Sequence, residues 1–308
     1  GNIFRGDISV PVQYSSSGAG WNLIGNPYTA TIDWGLLDIN DEEIDNSFWI
    51  WDHLSDVYGV YNGETGTSVN MHGNLSHIPS NHSFLVRVKQ GVSTSSVGFN
   101  SDALIPNTVS YLKSSSSTNS NYEHVKLYGQ KGSFRDEVAL VFVDNASAGF
   151  DNYDSEKYFS SSTNVMELYT LAGSRRVAIN GLPWVNGRIM PLGFSVQQAG
   201  SYTIGMSVDN TTNTDILLLD NGNVVANLSR GEVYNFSVGA KTMNQTRFSI
   251  QLSGGVSTST SPKVNGSEPS TNIFVENKMI VVIVDEEMVS ATYRLYDVAG
   301  RLIKSDKF

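Results

Sequence analysis

The sequence predicts an all-β protein: two consecutive antiparallel β-sandwich domains of jelly-roll type, followed by a small C-terminal β unit. Composition gives the first sign. Only 16% of residues are charged and 40% are hydrophobic, while Gly alone occurs 28 times. That make-up suits strands and turns better than surface helices. The second sign is patterning, because short β-branched and aromatic runs recur between Gly, Asn and Asp turn signals. Length is the third: 308 residues provide for about two domains of ~150 residues, each with a core.

The first domain is read over residues 1–113. Ile8-Ser-Val-Pro-Val12 alternates, and the turn-rich Ser15 to Gly20 stretch leads into Trp21-Asn-Leu-Ile24. That strand stops at Gly25-Asn26-Pro27, a turn expected to set Trp21 in the first core. Phe48-Trp-Ile-Trp51 places Trp49 and Trp51 on one face and Phe48 and Ile50 on the other. Both faces then need cover, and both tryptophans are read as core. Val57 to Tyr61, Phe84 to Val88 and Val97 to Phe99 add strands. Ser114 to Asn121 has the composition of a linker.

The second domain is read over 122–253. Its strands are drawn from Val125-Lys-Leu-Tyr128, Val138 to Val143, Arg176 to Ile179, Leu192 to Val196, Tyr202 to Ile204, Ile216 to Leu219, Val233 to Phe236 and Phe248 to Leu252. That number of short strands suits a two-sheet sandwich. Residues 254–270, dominated by Ser, Thr, Gly and Pro, read as a tether. In 271–308, Asn277-Lys278 separates two apolar runs, and Asp297-Val-Ala-Gly300 separates two more. Each is a hairpin signal.

Three stretches carry a resemblance. The tail pattern, with Tyr296-Asp297 followed by Gly300-Arg301-Leu302, resembles the C-terminal sorting domains of proteins exported by the type IX secretion system of Bacteroidetes. The family's closing Gly-Val-Tyr element has no counterpart before Phe308. Gly20-Trp-Asn-Leu-Ile-Gly-Asn-Pro-Tyr28, with Ile32-Asp-Trp34 and Ile78-Pro79, looks like a motif of large secreted Bacteroidetes proteins. Gly149-Phe-Asp-Asn-Tyr-Asp-Ser-Glu-Lys157 resembles a further element of the same proteins. The resemblance implies a secreted or outer-membrane surface protein. Tyr296, Asp297, Gly300, Arg301 and Leu302 would then be its sorting signal, and the secretion machinery a partner through the tail.

Charge removes other classes. Thirty acidic against 20 basic residues give a net charge of -10, and no basic cluster offers a nucleic-acid surface. Absence of cysteine removes disulfides and thiolate chemistry. No run approaches the ~18 apolar residues of a membrane-spanning helix.

Candidate chemistry is sparse. His72, His77 and His82 are spaced by five, which turns alternate members to opposite faces of a strand, so they read as loop or surface residues. No His-Glu-x-x-His, Gly-x-Ser-x-Gly or Walker loop occurs. Asp41, Glu42, Glu43 and Asp45 read as a solvated loop in preference to a glycosidase pair. Asp144, Asp151 and Asp154 can be read as calcium ligands or as turn braces, and the second is preferred. Arg5-Gly6-Asp7 is an integrin-type triplet of a kind expected by chance. Trp184, after a proline, is the candidate for stacking on a glycan.

These residues lead to a non-catalytic surface or adhesion protein with no cofactor, taking a glycan or protein ligand at the cell surface. A glycan-binding module and an unrecognised hydrolase are the alternatives.

Overall fold

The computed structural model describes residues 6–71, 76–105, 122–211 and 214–254, and the backbone of strands at 272–276, 279–283, 292–296 and 302–307. Gly1–Thr260 form one compact unit and Ser261–Phe308 a second. Among the described residues all regular structure is β apart from short 3-10 turns.

The first sandwich contains β1 (Ile8–Gln13), β2 (Trp21–Gly25), β3 (Thr31–Asp33), β4 (Asp38–Ile39), β5 (Ser47–Asp52), β6 (Val57–Asn62), β7 (Thr67–Val69), β8 (His77–Ile78), β9 (Ser83–Arg87), β10 (Thr94–Phe99) and β11 (Leu104–Ile105). One sheet runs β2-β9-β5-β6-β7, and the smaller sheets β1-β10-β4 and β11-β3-β8 complete the sandwich. Alternation decides what fills it. Phe48 and Ile50 of β5 point into a core with Trp34, Phe84, Phe99, Val12 and Ile32.

Asn26 ties the two pieces of the first motif together. Its side-chain amide donates to the carbonyls of Ala30, Ile78 and Pro79 at 2.9, 3.2 and 3.1 Å, and its oxygen accepts from the Tyr28 N–H. Gly20 has a φ of +83°, and a Cβ there would lie 2.1 Å from the Val88 carbonyl oxygen, so only glycine permits this approach.

The second sandwich contains β12 (His124–Lys131), β13 (Phe134–Phe142), β14 (Ser155–Glu156), β15 (Met166–Ala172), β16 (Arg175–Leu182), β17 (Ile189–Val196), β18 (Gly200–Asp209), β19 (Thr214–Asp220), β20 (Asn223–Asn227), β21 (Tyr234–Val238) and β22 (Thr242–Gly254). Their order is β20-β19-β22-β17-β15-β16-β13-β12-β18-β21, with β14 on β16. The sheet turns at β15, whose first residues pair with β17 and whose last pair with β16. Its two ends therefore share one core, centred on Phe194, Phe236 and Phe248. Pairing is antiparallel except between β13 and β16, which run parallel. The long excursion through β14 and β15 gives β16 room to return in the direction of β13.

Strand β13 explains how the sandwiches join. Val138, Leu140 and Phe142 face the second core, while Ala139, Val141 and Val143 face the other way. On that side they meet Trp49, Val60, Val69 and Leu85 of the first sandwich, with Ala178 and Ile179 of β16. Burying one such side chain contributes about 1.5–3 kcal/mol, so this joint is a third core. Trp49 is 0% exposed within it.

Two expectations need correction. Trp21 packs on the joint cluster and not in the first core, because both faces of its sheet are covered and its side chain takes the outer one. Trp51 is 42% exposed; it shares a face with Trp49 but lies farther along β5, where its ring stands edge-on to Tyr58.

In the second unit, β23 (Asn272–Glu276) pairs with β24 (Met279–Ile283), and β25 (Thr292–Tyr296) with β26 (Leu302–Lys307). Both predicted hairpins are present.

Candidate functional site

The residues richest in chemistry gather at the joint, on the segment the sequence marks as Gly149 to Lys157. Its backbone and side chains plug into the outer face of the first sandwich. Ser155 shares a hydrogen bond with Ser47 at 2.7 Å. The Asn62 amide donates to the carbonyls of Asn152 and Asp154 at 3.1 and 3.3 Å, and the Trp49 indole donates to the Glu156 carbonyl at 2.9 Å. Arg87 pairs with Glu156 at 2.5 Å and with Asp45 at 3.4 Å. Asp45 thus leaves the solvated acid run in which the sequence places it and lies buried. Burial pushes its carboxyl up, against the pull of Arg87. Asp41 and Glu42 do stay exposed.

Beside this plug lies a cleft of about 400 Å³ lined among others by Asp45, Arg87, Lys89, Phe150, Asn152 and Arg175. Arg175 stacks on the Phe150 ring at 4.4 Å. Lys89 donates to Asn152 and to the Asp41 carbonyl. The cleft's two acids, Asp45 and Asp151, are engaged, Asp45 by Arg87 and Asp151 by the Ser147 and Tyr153 N–H groups.

Deeper in the joint, Lys157 Nζ lies 2.6 and 2.7 Å from the two oxygens of Asp136. Asp136 also accepts from the Asn70 amide at 2.7 Å and from the Leu168 N–H at 2.6 Å. Glu167 is buried alongside and accepts from the Ser160 N–H. Burial pushes its carboxyl up to about 7, with Lys157 and Asp136 acting in opposite directions on it. Sequence reasoning marked Lys157 only within a motif and passed over Asp136 and Glu167. Acids on strands amid apolar neighbours were the available signal, since carboxylates are seldom fully buried unless paired.

Asp151 and Asp154 brace a turn. The oxygens of Asp151 accept from the Ser147 and Tyr153 N–H groups, and those of Asp154 from Asp151 and Gly181. Burial holds Asp154 up at about 7. Among the described residues no three histidines or acids converge on a metal-sized site.

An aromatic run borders the same joint. Trp51, Tyr58, Tyr158, Trp21 and Trp49 stand edge to face with centroids 5.0, 4.8, 4.7 and 4.5 Å apart in turn. Trp184 lies elsewhere: half-buried, it packs edge-on against Phe142 at 5.0 Å. His77 is a half-buried strand residue 3.7 Å from Asp33, not a loop residue. His82 is exposed and bonds the Ser80 carbonyl, while His72 falls outside the described residues. Of the integrin-type triplet, Asp7 is exposed and the Gly6 carbonyl accepts from Tyr28. In the tail, Tyr296 pairs with Leu302; Asp297, Gly300 and Arg301 lie outside the described residues.

The chain is 25% identical over 224 residues to the minor fimbrium subunit Mfa5 of Porphyromonas gingivalis, a stretch that is 65% of this chain and 18% of that protein. The chain therefore spans less than a fifth of the length of the curated relative it matches. No solved structure matches it. The family model described as "Domain of unknown function (DUF8693)" matches residues 1–252, which take in both sandwiches and the joint. The chain belongs to the DUF8693 family.

Proposed function

We propose that this chain is a non-catalytic module of a secreted or outer-membrane surface protein, serving adhesion or surface structure and delivered by its tail. The observation that carries the reading is the joint: its lysine, arginines, acids and amides bond one another across two sandwiches, as a stiff building block requires. Similarity to a fimbrium subunit supports the surface assignment. The tail pattern from Tyr296 to Leu302 supports export through the type IX machinery.

The test is fractionation and protease shaving of a tagged chain in a type IX-competent host. Shaving is expected to remove the tag from the full chain and to spare it when 271–308 are deleted. Equal shaving of both forms would overturn the sorting role, and protection of both would overturn the surface reading.

A second reading is glycan binding, favoured by the half-exposed Trp51 beside Tyr58 and by Trp184. Sugar C–H faces stack on indoles left partly open. A saturable shift of tryptophan fluorescence with polysaccharide, lost in Trp184→Ala or Trp51→Ala, supports it. Shifts that survive both changes discard it.

A further inference from the structure

We propose that Lys157 and Asp136 condense to an intramolecular isopeptide bond, Nζ to Cγ, with Glu167 relaying protons. Three observations lead there. Lys157 Nζ sits 2.6 and 2.7 Å from the two oxygens of one carboxyl, so amine and carbon are held at near-attack distance. Both oxygens also receive a neutral donor, the Asn70 amide on one and the Leu168 N–H on the other. These donors polarise the carboxyl and stabilise negative charge that develops on it during attack, as an oxyanion hole does. Finally, a second carboxyl, Glu167, is buried close enough to feel both partners, and burial favours its protonated form near neutrality.

The step balances without any outside reagent. Within the pair the ammonium proton passes to the carboxylate, leaving a neutral amine and a neutral acid. Burial pushes the Asp136 carboxyl in that direction. The nitrogen lone pair attacks Cγ, and the carbonyl π pair moves to Oδ2, held by the Leu168 N–H, while Oδ1 is the oxygen that leaves. Glu167 gives its proton to the departing hydroxyl and takes one from the nitrogen, so it ends as it began. The C–N bond forms, one C–O bond breaks, and one water leaves. Nothing is oxidised or reduced.

The buried setting argues for reaction over a resting ion pair. An ion pair without water loses hydration that its mutual attraction only partly restores, and the amide removes both charges. The chain has no cysteine, hence no disulfide. An amide between β13 and the Gly149 to Lys157 plug would restrain the unfolded chain in the same manner.

Intact mass of the purified, folded chain decides the matter. The wild type should weigh less than its sequence by one water, and a protease digest should yield the Asp136 and Lys157 peptides joined. Lys157→Met should have its full sequence mass. Asp136→Asn should still cross-link but lose ammonia in place of water. Glu167→Gln should keep its full mass while remaining folded by near-ultraviolet dichroism. A folded wild type at its full sequence mass means an ion pair only and overturns the proposal, whatever the variants do. A folded Glu167→Gln that condenses as completely as the wild type removes Glu167 from the relay.

Discussion

The indole N–H of Trp49 donates to the Glu156 carbonyl at 2.9 Å across 107 residues of sequence, joining the outer face of one sandwich to the plug of the other. Because the ring itself is fully buried in the joint, packing and hydrogen bonding can be separated by substitution. Trp49→Phe leaves the Glu156 carbonyl without this donor and should cost about 1–3 kcal/mol. Trp49→Ala also empties the site and should cost about 3–5 kcal/mol. Urea unfolding of the two variants checks the order. Equal losses would mean that the packing of the ring adds nothing beyond the hydrogen bond, and a Trp49→Phe as stable as the wild type would mean that the hydrogen bond contributes nothing.

Asn26 is expected to be the most sensitive polar position of the first sandwich. Its amide satisfies three carbonyls, two of them on the Ile78-Pro79 segment. Asn26→Ala should lower stability by about 2–4 kcal/mol, since buried acceptors lose their donors. Asn26→Asp should cost at least as much, because it sets a carboxylate against carbonyl oxygens. Midpoints of chemical unfolding give the answer, and a harmless Asn26→Asp would refute the clamp.

Stability should fall as pH rises from mildly acid to neutral. Burial holds Glu167 and Asp154 at about 7, above their ordinary values of 4.5 and 3.8. A raised acid binds its proton more tightly when folded, so its contribution is complete below the ordinary value. It is lost as pH climbs to the folded one. Asp220 runs the other way: its hydrogen bonds from Arg247 lower it below 3.8, so its contribution fades only under stronger acid. Unfolding midpoints should therefore be higher at pH 5 than at pH 8. Glu167→Gln with Asp154→Asn should flatten that slope, and an unchanged slope in the double variant would exclude both groups as its source.

Much of the fold was legible because strands announce themselves by alternation. The Phe48 and Ile50 face was read correctly from period two, and both tail hairpins from their turn residues. What covers a face was not legible. Alternation shows that β5 has two apolar sides but not that the second meets a sandwich about a hundred residues later, so Trp21 was assigned to the wrong core. The same limit hid Asp45, an acid among acids in sequence whose partner Arg87 lies 42 residues away. Lys157, Asp136 and Glu167 are spread over one turn and two strands, with no local spacing to mark them. The Gly149 to Lys157 motif was visible as a string, and its role as a plug came only with the three-dimensional contacts.

The joint also sets a timetable. Trp49, Val60, Val69 and Leu85 leave the ribosome well before Ala139, Val141 and the plug that covers them. A chain released in that interval carries an apolar face with no cover, and such faces invite association with other chains. Residues 1–113 made alone should therefore self-associate, and adding 122–253 in trans should restore solubility, as light scattering would show. A monodisperse, monomeric 1–113 fragment would mean that the face can be left bare. If the face must be hidden, the order in which the halves emerge decides how long the first of them stays at risk of sticking to other chains.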